Sequence, residues 1–341
     1  MGLLGPASGA RLLIKVPTAD APSMDIHLTA NDLEEALERD VRRGLQADVK
    51  WLPPVWFYDD RGSELFDEIT RLPEYYLTRA ERRLLEAASD EIAERSGAEV
   101  LVELGAGTCD KSRILLDALI KAGTLKKYVP LDVSDNTLLA AATSLADDYP
   151  QLLVHAVVGD FGLHIDRVPA DGRRLVVFLG STIGNLSPEQ RKRFLFDLDC
   201  TMEHGDTLLL GTDLVKDTSR LLAAYDDASG VTAEFNRNVL KVLNRALDAH
   251  FDPSQFEHVA VWNPEKSHIE MRLRSQLDQN VAIDKLGIEV HFARGEDLLT
   301  ETSAKFTREG VEKELSEAGL MPEAMWEDAE GFLLTLATPY C

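Results

Sequence analysis

Apolar and polar positions fall into two kinds of pattern along this chain. Runs rich in Val and Leu at 100–104, 128–133, 153–158, 174–179 and 207–211 read as strands. Between them, 111–122, 136–149 and 188–202 have helical spacing. Nearly continuous apolar strands imply a sheet covered on both faces, and the βαβα rhythm predicts a doubly wound parallel sheet. Helical spacing also covers 33–45, with Asn31 or Asp32 as N-cap, and 78–96, where Thr78 and Glu81 stand at capping-box distance.

The rhythm breaks after Asp213. Residues 216–250 read as helices hinged at Gly230, and 258–262, 269–277 and 281–292 alternate like antiparallel strands. A helix at 308–318 and a strand at 331–337 return to the first pattern. The expected fold class is therefore α/β, a doubly wound sheet with an inserted α+β domain. Residues 79–215 with 305–341 form the first unit, and 25–78 with 216–304 the second. Residues 1–24 read as a flexible extension rather than a secretion signal, because Pro6, Arg11 and Lys15 interrupt the apolar stretches.

Composition narrows the classes of function. The 341 residues carry 45% hydrophobic content and a formal net charge of −23. No basic field is available to attract phosphates, so neither nucleic acid nor an anionic membrane is an expected partner, and the charge suits a soluble cytoplasmic protein. A monomer is expected. Cys109, Cys200 and Cys341 have no spacing that indicates a disulfide framework or zinc, and the eight histidines form no ligand cluster, so no metal is expected. His258 and His268 read as structural.

The most informative segment is Val100-Leu101-Val102-Glu103-Leu104-Gly105-Ala106-Gly107-Thr108. It reads as a buried strand, a tight turn and a helix start, the opening of a Rossmann-like nucleotide-binding unit. The dinucleotide fingerprint wants a third glycine where Asp110 stands, and an acid there repels phosphate. Glu before Gly-x-Gly fits a donor without phosphate, S-adenosylmethionine (SAM), better than NAD. In such sheets ligands lie beyond the carboxyl ends of the strands. Gly105 and Gly107 end the first strand, Asp132 the second, Gly159-Asp160-Phe161 the third and the segment Gly180 to Asn185 the fourth. A carboxylate at 132 suits ribose hydroxyls, and an acid beside an aromatic ring at 160–161 suits adenine. Each has a plainer reading: Asp132 as a helix cap, Asp160-Phe161 as an ordinary turn, Asn185 as turn chemistry. The aromatic loops between 52 and 76 either plug a core or line a pocket.

Several motifs then carry a resemblance. Trp56-Phe57-Tyr58-Asp59, Gly62-Ser63-x-Leu65-Phe66, Leu72-Pro73-Glu74-Tyr75-Tyr76 and Thr78-Arg79 resemble the N-terminal signature of one SAM methyltransferase family. So do Glu103-Leu104-Gly105-x-Gly107-Thr108, Phe178 to Asn185, Gly211 to Asp217, Ala224-Tyr225-Asp226-Asp227, Phe235-Asn236-x-Asn238 and Leu299-Thr300-Glu301. The family is that of the histidine-specific Nα-methyltransferases of ergothioneine biosynthesis, and the similarity runs from about Asp25 onward. It implies SAM contacts at Gly105, Lys111, Asp132, Asp160 and Phe161. It implies an L-histidine site of Tyr75, Asn185, Tyr225, Glu301 and Ser303, with Met271 as a neighbouring position.

On that resemblance the reaction is transfer of three methyl groups to the histidine α-amine, giving hercynine. Asn185 and Tyr225 are expected at the carboxylate and amine end. Glu301, Ser303 and Tyr75 are expected at the imidazole. Tyr58, with Phe66, is expected beside the growing ammonium, and Asn185 and Tyr58 are the candidate catalytic residues. The rival readings are a methyltransferase of the same fold for another amino acid such as tryptophan, a non-catalytic SAM binder, and a nicotinamide oxidoreductase.

Overall fold

Residues 22–107, 109–169 and 171–340 are described by a computed structural model. Residues 1–21 of the expected extension lie outside the described residues, as do Thr108 of the glycine turn and Cys341. Among the described residues no helix is long and apolar enough to cross a membrane.

Six parallel strands form the body of the main sheet: β1 (Ser23–Ile26), β2 (Val100–Leu104), β3 (Lys127–Asp132), β4 (Leu153–Val158), β5 (Arg174–Phe178) and β6 (Thr207–Asp213). Their order is β1-β4-β3-β2-β5-β6, so the direction of winding reverses between β2 and β5. Alternation along β2 divides the interior in two. Leu101 joins the core under α3 (Leu77–Ser96), α4 (Ser112–Ala122) and α5 (Asp135–Asp148), whereas Val100, Val102 and Leu104 face α7 (Pro188–Thr201) and α10 (Arg308–Glu317). Burying an aliphatic side chain of this size stabilises by about 1.5–3 kcal/mol, and both faces are covered this way. A one-turn helix, α6 (Phe161–His164), follows β4.

The second lobe combines α1 (Ala30–Leu45), α2 (Asp60–Thr70), α8 (Thr218–Tyr225) and α9 (Val231–Leu247) with an antiparallel sheet. That sheet holds β7 (Phe256–Asn263), β8 (His268–Ser275) and β11 (Asp297–Ala304) in the order β11-β8-β7. Gly62 shows why a glycine belongs in α2: a Cβ there would land on the Phe57 carbonyl oxygen. Asn238 of α9 bonds that same carbonyl at 3.3 Å and Asp59 Oδ1 at 2.6 Å, locking the aromatic loop to α9.

Several expectations need correcting. Ser23 and Met24 are not part of an extension. With Asp25 and Ile26 they pair in parallel with β4, because that edge of the sheet otherwise leaves its backbone groups without partners. Asp25 and Ile26 accordingly sit in the main sheet, not the second lobe. The segment expected as one strand at 281–292 is a hairpin, β9 (Gln279–Ile283) and β10 (Ile288–Phe292), turned at Gly287 with φ of +61°. The cap of α1 is Thr29, with Asp32 as its reciprocal partner. α3 begins at Leu77 with no side-chain cap, so Thr78 lies inside it and Glu81 is turned into the protein.

The main sheet closes with β13 (Phe332–Pro339), antiparallel to β6, and an unforeseen edge strand β12 (Leu320–Glu327), antiparallel to β13. Pro322 sits at a register irregularity in β12, where an edge strand tolerates a residue without N–H. The antiparallel sheet joins the main sheet where the chain leaves β11. Phe306 N donates to Asp213 O at 2.9 Å and Val215 N donates to Phe306 O at 2.8 Å, carrying the end of β11 onto the carboxyl end of β6.

Candidate active site

The glycine turn after β2 is left-handed at Gly105 (φ +70°) and Gly107 (φ +51°), and a Cβ on either would meet no atom within 4 Å. Space is therefore open along the turn. Asp132, the last residue of β3, accepts from Gly107 N at 2.9 Å and from Ser134 N at 3.0 Å. It thus braces the turn and starts the next loop, leaving a lone pair on each oxygen. Asp160 caps α6 by accepting from Gly162 N at 2.7 Å. Phe161 is half-buried, its ring 5.0 Å from Phe178 and 5.6 Å from Phe194. Glu103 does not face the opening. It is buried and accepts from Ser112 Oγ and Tyr128 Oη, and burial pushes its carboxyl up to about 7.

Lys111 forms an ion pair with Glu81, which is 0% exposed. The other Glu81 oxygen accepts from Gly180 N at 2.6 Å. One buried carboxylate thus ties the first strand-end loop to the fourth. After Gly180 the chain makes a tight turn at Ser181, a non-glycine residue at φ +57°, whose hydroxyl accepts from Asp213 N at 3.0 Å. The turn ends at Asn185, half-buried, whose side-chain amide makes no hydrogen bond among the described residues. A Cβ on Gly184 would stand 2.9 Å from Ala304 O, so a glycine is needed to bring Asn185 against the end of β11.

β11 carries the acceptor candidates. A register irregularity between Leu299 and Glu301 turns Thr300 inward, where its hydroxyl donates to Asn236 Oδ1 at 2.7 Å. Glu301 and Ser303 then point the same way, two residues apart. Met271 lies opposite Glu301 on β8 and is buried. Glu301 makes no hydrogen bond or ion pair among the described residues. Burial pushes its carboxyl up to about 7, with only Lys305 pulling it down.

Ser303 Oγ and Tyr225 Oη lie 2.8 Å apart, and Lys305 Nζ donates to both, at 3.0 and 2.8 Å. Lys305 is fully buried and paired with Asp213 at 3.0 Å. Asp213 also accepts from Lys216 at 2.5 Å and Tyr76 Oη at 2.7 Å. The Tyr225 hydroxyl was expected at the carboxylate and amine end; here it bonds on the side of Ser303. Behind it, His258 Nε2–H donates to Tyr225 O at 2.8 Å while Asn236 Nδ2–H donates to His258 Nδ1 at 2.8 Å. Burial lowers the His258 pKa, in keeping with a neutral structural ring.

Tyr75 packs edge-on to Tyr225 at 6.3 Å and to Phe66 at 6.2 Å. Tyr58 is 41% exposed and sits edge-on to Phe66 (5.6 Å) and Phe235 (5.5 Å). Within the aromatic loops Phe57 is core, while Tyr58 is solvent-exposed. The surrounding protein, then the charge of Glu301, holds the Tyr58 phenol well above its ordinary value, and Asp132 adds to this. Burial and the neighbouring Tyr225 and Glu301 do the same for Tyr75. Tyr58 is thus within electrostatic reach of both Glu301 and Asp132.

Motif reading missed Glu81, Asp213 and Lys305. Glu81 looked like half of a capping box. For Lys305 the available signal was a lone cation between the apolar Ala304 and Phe306.

A family profile described as "Histidine-specific methyltransferase, SAM-dependent" matches residues 37–338. The chain is 54% identical to a histidine N-alpha-methyltransferase of Mycolicibacterium smegmatis, over 92% of this chain and 98% of that one. It is 53% identical to the protein of the same name from Mycobacterium tuberculosis, over 91% and 97%. An L-tryptophan methyltransferase of Psilocybe serbica is 28% identical over 84% of this chain and 87% of its own. With a strand-end cleft of this geometry and likeness over nearly the whole length, the chain belongs to the family of SAM-dependent, histidine-specific methyltransferases.

Proposed function

We infer that the chain methylates the α-amine of L-histidine three times, releasing hercynine and S-adenosylhomocysteine. The observation that carries the reading is Glu301, a carboxylate without a partner, with the Ser303 hydroxyl beside it on one strand face. An imidazole offers one N–H and one bare nitrogen, and this pair answers both. Met271 forms the apolar floor under Glu301, and Tyr75 closes the ring side.

SAM supplies an electrophilic methyl. Gly105, Lys111, Asp132, Asp160 and Phe161 would hold it: the turn has room, the acids suit hydroxyls and an amine, and Lys111 is tied to Glu81 rather than poised for phosphate. Residues 79–215 with 305–341 then form the donor lobe, joined by β1, and the rest of 27–78 with 216–304 the acceptor lobe.

The attacking amine must lose its proton, since a free α-amino group has a pKa of about 8. Asn185, with an uncommitted amide, orients the amine and carboxylate. Tyr58 stays a phenol at neutral pH, so it is no anionic base; it offers an oxygen to the amine and a ring face to the product cation. Tyr58, Phe66 and Phe235 form an aromatic wall that accepts a trimethylammonium group without needing hydrogen bonds from it. Alignment of nitrogen, methyl and sulfur supplies most of the acceleration.

Tryptophan is the rival acceptor. Its indole satisfies Glu301 but has no bare ring nitrogen to accept the Ser303 proton, a cost of about 1–3 kcal/mol. Incubating the purified chain with SAM and equal amounts of histidine and tryptophan, then weighing the products, tests this. Three methyl groups on histidine are expected; methylation of tryptophan instead, or of neither, overturns the reading. We take the enzyme to work as a cytoplasmic monomer, a reading supported by mutual repulsion at a net charge of −23. Sedimentation at the mass of one chain checks the oligomeric part.

A further inference from the structure

Lys305 donates to Tyr225 Oη at 2.8 Å and to Ser303 Oγ at 3.0 Å, and it is ion-paired with Asp213 Oδ2 at 3.0 Å. The ammonium cannot turn away, because Asp213 is itself pinned by Lys216 and Tyr76 Oη, and Lys216 and Arg220 both lie over the Tyr76 ring, at 4.1 and 4.7 Å. The consequence falls on the two hydroxyls. Lys305 donates to Tyr225 Oη and so fills an acceptor site on that phenol, which leaves the Tyr225 proton available to be given across the 2.8 Å contact with Ser303. Ser303 Oγ now accepts from both Tyr225 and Lys305, which fills its lone pairs. Its own proton has to point elsewhere. Glu301 makes no hydrogen bond among the described residues, which leaves that proton for a ring nitrogen bound beside Ser303.

We propose that Lys305 is a positioning residue that, through Tyr225, compels Ser303 to donate to the substrate ring, so that the site takes neutral imidazole and rejects imidazolium. This rests on the ring lying between Glu301 and Ser303, as inferred above. A neutral ring donates its one N–H to Glu301 and receives the Ser303 proton on its bare nitrogen. An imidazolium presents a second N–H to an oxygen with no lone pair to spare. The charged and titratable groups facing Lys305 are Asp213 of β6, Tyr225 of α8 and Glu301 of β11, with Lys216 and Tyr76 beyond Asp213.

The test compares two ligands on the full chain by calorimetry between about pH 5 and pH 8: L-histidine, and 1,2,4-triazol-3-yl-L-alanine, whose ring stays neutral throughout. Ionisation of Glu301 and of the Lys305 cluster acts on both ligands and cancels in the ratio of their affinities. For the wild type, histidine should lose affinity relative to the triazole about tenfold per pH unit below the imidazole pKa of about 6.5. Lys305→Met should abolish that decline, since Ser303 regains a lone pair. Tyr225→Phe, which preserves volume and keeps Lys305, should abolish it as well and serves if Lys305→Met does not fold. A merely structural role weakens both ligands alike and leaves the decline intact in the variants, which would overturn the proposal, as would a flat ratio in the wild type. Ser303→Ala separates the two readings. If it weakens neither ligand, the ring placement itself fails; if it weakens both while Tyr225→Phe keeps the decline, only the wiring through Lys305 fails.

Discussion

Glu301 makes the protein less stable in order to bind, and Glu301→Gln should expose that cost. The carboxyl is moved from its ordinary 4.5 to about 7, chiefly by burial. Between those values the folded chain holds a proton that the unfolded chain has released, so stability falls as pH rises through this window and stays low above it. At about 1.36 kcal/mol per pH unit, the full cost above pH 7 is about 3 kcal/mol. Part of Glu301 remains open to the cleft, which makes this a ceiling. Glutamine keeps the shape and cannot ionise. Denaturant unfolding without ligand should find the variant more stable at pH 8, with the gap shrinking by up to about 2 kcal/mol at pH 5. Saturating histidine should stabilise the wild type and not the variant. An equal gap at both pH values, or a variant less stable at pH 8, would refute the reasoning.

Other outcomes follow from the same geometry. Asp132→Ala should weaken SAM binding by about 1.5–3 kcal/mol in calorimetry, because it removes a charged acceptor and unbraces Gly107; histidine affinity should change little. Glu81→Gln breaks the buried pair with Lys111 and should lower unfolding stability by about 2 kcal/mol while raising the KM for SAM. The kcat/KM for histidine should rise with pH through about 7, since both the Glu301 carboxylate and the neutral amine form in that direction. In Glu301→Gln the limb contributed by the carboxylate should vanish from that profile.

What could be read from the sequence followed the physics of burial. Strands covered on both faces, such as β2, β5 and β6, are nearly continuous apolar runs and announce themselves. β12 did not, because an edge strand alternates weakly and carries Pro322. Strand ends gave the proposed site in outline, since ligands in such sheets gather there. Its interior wiring stayed hidden. Lys305 and Asp213 are far apart in sequence and meet only because β11 runs onto the end of β6. Spacing could not show that Glu81 turns inward, as its distance from Thr78 imitates a capping box, nor that the Tyr225 hydroxyl would be taken up by Ser303 and Lys305.

The most direct measurement is a crystal structure of the chain with L-histidine and S-adenosylhomocysteine. One ring nitrogen should lie about 3 Å from the Glu301 carboxylate and the other about 3 Å from Ser303 Oγ, with the α-amine turned toward the sulfur. A ring bound away from β11, with Glu301 still lacking a partner, would contradict the account.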